Sequence, residues 1–304
     1  MALIAGPTAS GKSDLAVELA LALEKAGRQA VVINADSAQV YADLRVLSAR
    51  PSEEDMRGVD HRLFGAWDGA QACSAADWAA AAKEQIAKAH AGGKVPILVG
   101  GTGLYIKVLL EGIAHIPTID PAVRKKVRAL PTQEAWDALL VEDPERAAAL
   151  APADSQRIAR ALEVIRSTGH GMDYWHRSQQ GGIGNEISLH PLVLLPDRET
   201  VYAKCDKRFE WMMDHGAVEE VSALNSRDLH PDLPVMRAIG VPEITALLKG
   251  DVSREEAIAG GQQSTRNYAK RQFTWLRNQL PEDWKRAAPD SVDIPDNFES
   301  LFHI

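Results

Sequence analysis

Apolar residues fall along the chain in two alternating rhythms. Leu3-Ile-Ala5, Ala30-Val-Val-Ile-Asn34, Val95-Pro-Ile-Leu-Val99 and His190-Pro-Leu-Val-Leu-Leu195 are short, nearly unbroken apolar runs. Such runs suit strands buried on both faces, as in a parallel sheet. Between them, apolar positions recur at helical spacing. Leu15, Leu19, Ala22 and Leu23 follow the first run, and an alanine-rich stretch from Asp77 to His90 ends at Gly92-Gly93, a good helix stop. Strand and helix in alternation predict an α/β fold.

The rhythm breaks at Ile113. Pro117, Asp120 and Pro121 interrupt it, and helical patterns follow over Val123–Leu130, Glu134–Leu150 and Ser155–Thr168, the last with an apolar stripe of Ile158, Leu162 and Ile165. A polar, glycine-rich return over 169–186 leads back to the fourth apolar run. This predicts a core of residues 1–112 and 188–304 that carries an inserted small all-helical domain over 113–187. Farther on, Arg198 to His215 reads as an amphipathic helix with Val201, Cys205, Phe209 and Met212 inward. Ser253-Arg-Glu-Glu256 is a capping box that opens a long helix to about Leu280. The tail after Pro281 reads as a loosely packed terminus.

The candidate chemistry begins where the first strand turns into the first helix. Gly6, Pro7, Thr8, Ala9, Ser10, Gly11, Lys12 and Ser13 spell G-x-x-x-x-G-K-S, with a strand before and a helix after. That context is the one a phosphate loop requires, and it makes the expected sheet P-loop NTPase-like, flanked by helices. Backbone N–H groups around Ala9 to Lys12 converge on an anion at a helix start, Lys12 adds a point charge, and the Ser13 hydroxyl is placed to hold Mg²⁺. The second strand delivers Asp36 to the carboxyl edge of the sheet, where α/β folds bind ligands. A carboxylate there is a metal contact, a general base, or a solvated turn residue. The third run ends in Gly100-Gly101 where an ATPase of the usual type has Asp-Glu, and Thr102 puts a neutral hydroxyl at the edge instead. The turn Gly100 to Tyr105 does not match the G-x-G-x-x-G dinucleotide pattern.

Composition narrows the partners. The 304 residues carry a formal net charge of −8, which argues against polyanion binding by the whole surface and leaves room for a local basic groove. Two cysteines, Cys73 and Cys205, form neither a spaced metal set nor a disulfide framework, so a reducing compartment is expected. No apolar run approaches membrane-spanning length and no signal-peptide layout is present, which gives the expectation of a soluble cytoplasmic protein. Against this acidic background, Gln262 to Arg277 holds Arg266, Lys270, Arg271 and Arg277 and no acid. Arg266, Lys270 and Arg277 can share one face with Phe273 and Thr274, whereas Tyr268 and Trp275 share another that reads as core. Basic and aromatic groups on one helix suit nucleic acid. Arg124, Arg157 and Arg160 in the insertion are either a solvated face or part of a polyanion-binding surface, and Arg208 is available to the phosphate site.

Gly6-Pro-Thr-Ala-Ser-Gly-Lys-Ser13, Asp36-Ser-x-Gln-Val-Tyr41, Gly100-Gly-Thr-Gly-Leu-Tyr105, Gln156-Arg-Ile-x-Arg160 and Thr265-Arg-x-Tyr-Ala-Lys-Arg-Gln272 with Thr274-Trp275 together resemble the bacterial tRNA dimethylallyltransferases. The resemblance spans nearly the whole chain. It implies transfer of a dimethylallyl group from dimethylallyl diphosphate to the N6 amine of the adenosine just 3′ of the anticodon, in tRNAs reading U-initial codons. It implies that the phosphate loop, ATP-like by pattern, holds the diphosphate of the prenyl donor together with Arg208, with Mg²⁺ at Ser13. Asp36 is then the candidate base and Thr102 a second hydrogen-bonding group. The tRNA anticodon arm would meet Asp36, Ser37, Ala38, Gln39 and Thr102 at the sheet edge, and Arg124, Gln156, Arg157, Ile158, Ala159 and Arg160 on the insertion. Arg237, Lys270, Arg271, Gln272 and Trp275 would complete the contact in the C-terminal part. A monomer without membrane contact is expected. One departure concerns the turn after Arg237: the family usually continues Ala-Ile-Gly with Tyr-Lys or Tyr-Arg, and here Val241-Pro242 follows, which removes those side chains from any tRNA contact.

Other classes share parts of this pattern. A small-molecule or nucleoside kinase has the phosphate loop and the Asp, but leaves Gln156–Arg160 and Thr265–Gln272 without a use. A free-adenylate prenyltransferase does the same chemistry with little use for the insertion. A nucleotide switch would need an Asn-Lys-x-Asp motif, which is absent.

Overall fold

The computed structural model describes residues 1–177 and 179–303. These form two compact units, Met1–Leu109 with Gly184–Ile304, and Leu110–Ile183.

Among the described residues eight strands occur in chain order: β1 (Ala2–Ala5), β2 (Ala30–Asn34), β3 (Asp60–Arg62), β4 (Val95–Gly100), β5 (Gly112–Ala114), β6 (Gln179–Gly181), β7 (His190–Leu194) and β8 (Lys285–Ala287). The first unit is built on one parallel sheet in the order β3-β2-β4-β1-β7-β8. The four apolar runs supply its centre. β1 lies between β4 and β7, with Ala5 opposite Gly100 on one side and Val193 on the other. Ile4, Val32, Ile97, Val99 and Leu192 pack there with Leu19 and Leu23 of the helix Lys12–Lys25. The edge strands β3 and β8 are only three residues long and rich in charge, which is how sheets blunt their edges and why no apolar run announces them.

The C-terminal tail corrects the expectation of a loose terminus. β8 pairs in parallel with β7, and Phe298 and Leu301 are buried in the same core cluster as Leu192 and Leu194. Its contribution comes from backbone pairing and isolated apolar side chains, neither of which has a period to read. The two long helices Arg198–Asp214 and Arg254–Asn278 pack against each other and bury Val201, Cys205, Ala269 and Phe273. The Ser253–Glu256 capping box is formed, with Glu256 N donating to Ser253 Oγ and Ser253 N to Glu256 Oε2.

The second unit has helices Pro121–Arg128, Thr132–Glu142, Pro144–Ala148, Ser155–Thr168 and Met172–His176 around a core of Val127, Ala135, Leu139, Ala147, Ile158, Ala161 and Leu162. The stretch expected as one helix over Glu134–Leu150 is two, because Pro144 lacks the N–H to continue and Asp143 caps the new start by accepting from Arg146 N at 3.1 Å. The unit also holds a short antiparallel pair of strands, β5 with β6, so part of the glycine-rich return is extended rather than loop. Among the described residues, no helix is long and apolar enough to cross a membrane.

Candidate active site

β1, β2 and β4 end at one edge of the sheet, and the turns that leave them build the site. After β1 the chain makes its phosphate loop with Ala9 and Gly11 both at positive φ (58° and 80°). Residues in this conformation turn successive N–H groups toward one point, an anion-binding concavity. Gly11 is the N-cap of the helix Lys12–Lys25 and offers no side-chain cap. The first-turn N–H groups are therefore left for a ligand, where the helix dipole adds to the attraction. Lys12 curls back over the loop, its Nζ donating to Pro7 O at 3.1 Å. Desolvation pushes the Lys12 ammonium below its ordinary pKa; the Asp36 carboxylate pulls it up, and Arg208 pushes it down again. Arg208, from the helix Arg198–Asp214, donates to the Thr8 hydroxyl. Burial lowers its pKa too, with Cys205 and Asp36 acting the other way, and the guanidinium stays charged. Two cations thus face the cavity, with the Asp36 carboxylate acting on both.

β2 delivers Asp36 as expected. Its Oδ1 accepts from Ala38 N at 2.9 Å and Gln39 N at 3.4 Å, which fixes the carboxylate at the head of a turn. Thr102, after β4, accepts from Ser37 N at 3.0 Å and donates to Ser37 Oγ at 3.3 Å. The Tyr268 hydroxyl stands 3.5 Å from Thr102 Oγ1. Burial first, and then Asp36, push the Tyr268 phenol above its ordinary pKa, so it carries its proton at neutral pH and is a donor rather than a base.

Two adjoining cavities meet at Asp36. One, of about 410 Å³, is walled by Thr8 to Asp14 with Asp36 and Arg208. The other, of about 300 Å³, is walled largely by Tyr41, Leu44, Leu47, Cys73, Tyr105, Phe209 and Met212, with Asp36, Ser37, Tyr268, Arg237 and Arg271 among its polar members. Thr8, Asp36, Ser48 and Arg208 belong to both. A crevice with one half cationic and the other apolar suits an amphiphile with a phosphate head and a short hydrocarbon part.

The structure sorts the residues expected in contact with RNA into three groups. Arg237 and Arg271 line the apolar cavity, Lys270 is exposed on the long helix, and Gln156 and Arg157 are exposed on the second unit. Arg124 and Arg160 are partly exposed beside Glu163. Two on the second unit are corrected. Ile158 is fully buried in the second unit's core and Ala159 packs against that core, so the apolar stripe of their helix takes them inward. Gln39 spends its amide on Ser48 O (3.1 Å) and Ala49 O (2.9 Å) and holds the cavity wall. Thr102 is half-buried and meets Ser37 and Tyr268, both of which line the apolar cavity. Trp275 lies against the backbone of Gly103, where a Cβ would come within 2.1 Å of its ring. Phe273 is fully buried, Arg266 is paired to Asp206 at 2.6 Å and the Arg277 guanidinium lies over the Phe273 ring, while Lys270 is exposed.

Gln272 is the largest correction. It is buried, its Oε1 accepts from Thr8 N at 2.8 Å, and its Nε2 donates to Gly101 O at 3.0 Å. One side chain therefore ties the phosphate loop to the turn after β4. A Cβ on Gly101 would lie 2.3 Å from that Nε2, so the glycines of this turn serve close packing and not a nucleotide. Gln272→Leu leaves both backbone partners unpaired and should lower stability by about 2–4 kcal/mol in denaturant unfolding. It should raise the KM for the phosphate-bearing substrate while RNA affinity stays within about twofold; selective loss of RNA affinity would return Gln272 to the surface role.

Sequence reading missed Tyr268 as a site residue, although Thr265, Tyr268 and Gln272 share one helical face and all turn inward to the site. It also missed Glu220. Its Oε1 accepts from Arg45 N (2.9 Å) and Val46 N (2.7 Å) and its Oε2 from Leu47 N (3.0 Å), which pins the loop carrying Leu44, Leu47 and Ser48 into the cavity wall. No local signal connects residues that far apart in the chain.

Known proteins share the sequence and the fold over nearly the whole chain. The family model described as IPP transferase matches residues 39–279. A protein of Erythrobacter litoralis named tRNA dimethylallyltransferase is 65% identical over 302 residues, 99% of this chain and 95% of its own. One of the same name from Novosphingobium aromaticivorans is 66% identical over 268 residues, 88% of this chain and 95% of its own. Among solved structures, the tRNA isopentenylpyrophosphate transferase of Bacillus halodurans superposes with a TM-score of 0.68 at 32% identity, covering 99% of this chain and 93% of that one. A eukaryotic dimethylallyltransferase studied acting on tRNA gives 0.75 at 25% identity, covering 91% of this chain and 69% of that one.

Proposed function

The chain belongs to the IPP transferase family, and on that premise we propose that it moves a dimethylallyl group from dimethylallyl diphosphate to the N6 amine of the adenosine 3′ of the anticodon in tRNAs reading U-initial codons. The observation that carries this reading is the pair of cavities meeting at Asp36, one lined by the loop of Gly6 to Ser13 with Lys12 and Arg208 and the other walled largely by apolar side chains. The donor's diphosphate sits in the loop of Gly6 to Ser13 with Lys12 and Arg208, and its allylic carbon reaches past Asp36 toward the apolar half. The adenine leaves its stack and enters that half, as base-modifying enzymes require.

The bond changes are simple. The N6 lone pair attacks the allylic carbon as that carbon's bond to the diphosphate oxygen breaks, and the N6 proton passes to the Asp36 carboxylate. Lys12, Arg208 and the loop N–H groups offset the charge that grows on the leaving diphosphate. Tyr268 and Thr102, through Ser37, hold the Asp36 turn in place. The cavity at the loop is lined by the hydroxyls of Thr8, Ser10 and Ser13 and by the carboxylates of Asp14, Asp36 and Asp55, and among the described residues no cluster of three or more His, Cys, Asp or Glu forms a protein cage for a metal. That donor set fits Mg²⁺, which keeps water and substrate phosphates as ligands. Ser13 would hold it, and bound there it neutralises diphosphate charge. Arg237 and Arg271 at the wall of the crevice, Lys270 on the exposed face of the long helix and the arginines of the second unit meet the phosphates of the anticodon arm. A monomer acting in the cytoplasm completes the reading.

The test is direct. Incubation with dimethylallyl diphosphate, Mg²⁺ and unmodified tRNA, followed by nucleoside analysis, should yield N6-dimethylallyladenosine, with no ATP consumed. Phosphoryl transfer from ATP without prenylated nucleoside would replace this reading with a kinase.

A further inference from the structure

Glu163 is the least expected charge in the second unit. It is 1% exposed, in the middle of the helix Ser155–Thr168. A carboxylate in such a place requires partners. Three arginines converge on it from two helices. Arg128 Nε donates to its Oε1 at 2.8 Å. Arg124 Nε and Arg160 Nη1 lie 3.8 and 3.7 Å from Oε2, which makes no hydrogen bond of its own. The arginine side chains are themselves 49, 59 and 42% exposed for Arg124, Arg128 and Arg160.

This is more cation than the buried carboxylate needs, in an unusual arrangement. Arg124 and Arg160 are drawn in by charge but held beyond hydrogen-bond distance, so Glu163 does not spend their N–H donors. Each guanidinium carries five N–H groups in a rigid fork, which suits phosphate oxygens. Three positive charges around one negative leave the cluster cationic, with its free forks outward.

We propose that Glu163 is a positioning residue: the buried base of a three-arginine site, Arg124, Arg128 and Arg160, that binds the phosphodiester backbone of RNA. Its charge gathers three flexible side chains before the ligand arrives, so less side-chain entropy is lost on binding. The inference rests on the reading that this protein acts on tRNA. Prenylation of tRNA by the wild-type protein tests that reading separately.

The experiment is tRNA affinity of full-length Glu163→Gln across a salt series, with single-turnover prenylation at saturating tRNA and thermal unfolding measured alongside. Removing a negative charge from a bystander position should tighten RNA binding and steepen its salt dependence. Removing the base of the arginine cluster does the opposite: affinity should fall roughly tenfold, as for one or two lost charge-assisted contacts. The saturated rate and the KM for dimethylallyl diphosphate should stay within about twofold, because only RNA binding is affected. Glu163→Met, of similar volume and without a buried polar head, covers the case in which Glu163→Gln fails to fold; it too should bind tRNA more weakly. Unchanged or tighter tRNA binding in a folded variant, with wild-type prenylation intact, would overturn the proposal.

Discussion

Asp36→Asn should bind tRNA as wild type does and slow single-turnover prenylation by on the order of 10²–10⁴, or roughly 3–5 kcal/mol of barrier. The substitution is informative because Asp36 has two jobs in the structure. Its Oδ1 accepts from Ala38 N and Gln39 N and so shapes the turn, and its carboxylate faces both cavities. Asparagine keeps an oxygen for the first job and has no base for the second. A rate within a few-fold of wild type at saturating substrates would leave Asp36 a turn residue and remove it from the chemistry. If tRNA affinity fell along with the rate, the turn and not the base would be at fault.

Lys12→Ala should weaken binding of dimethylallyl diphosphate by roughly tenfold to a hundredfold, the size of a charge-assisted contact to phosphate, and should slow its departure as leaving group. tRNA affinity should be nearly unchanged. The electrostatics add a pH signature. Desolvation lowers the Lys12 pKa, with Asp36 opposing and Arg208 reinforcing that shift. The protonated form is the one that binds the diphosphate. Donor affinity should therefore fall as pH rises, beginning below the range where a free lysine loses its proton, and the Lys12→Ala variant should lack that limb. Calorimetric titration of donor against pH for both proteins measures it. A mutant defective only with ATP, and unaltered in prenyl transfer, would point back to a kinase.

The sequence by itself determined the sheet's centre and the loop that follows β1. Four apolar runs become β1, β2, β4 and β7 because a strand buried on both faces has to be apolar throughout, a local requirement. The loop from Gly6 to Ser13 was equally legible, since its anion-binding shape comes from contiguous backbone and the start of the helix that follows. The insertion of helices after Ile113 showed as a change of period.

What the tertiary structure decided is the direction in which side chains of the same type face. Lys270 and Arg271 lie within a few residues of Gln272 on one helix, yet they are exposed while Gln272 is buried and braces the phosphate loop. A polar residue in a basic run reads as surface until its long-range partners, Thr8 and Gly101, are known. Glu220 and Glu163 carry the same lesson: each looks like an ordinary helical acid, and one anchors a cavity wall while the other sits under three arginines. The terminal strand β8 depends on backbone hydrogen bonds to β7, which any sequence can make. Hydrophobic period reports burial of apolar side chains. It is silent on where a buried polar group finds its partner, because that is settled by elements distant in the chain and adjacent only once it has folded.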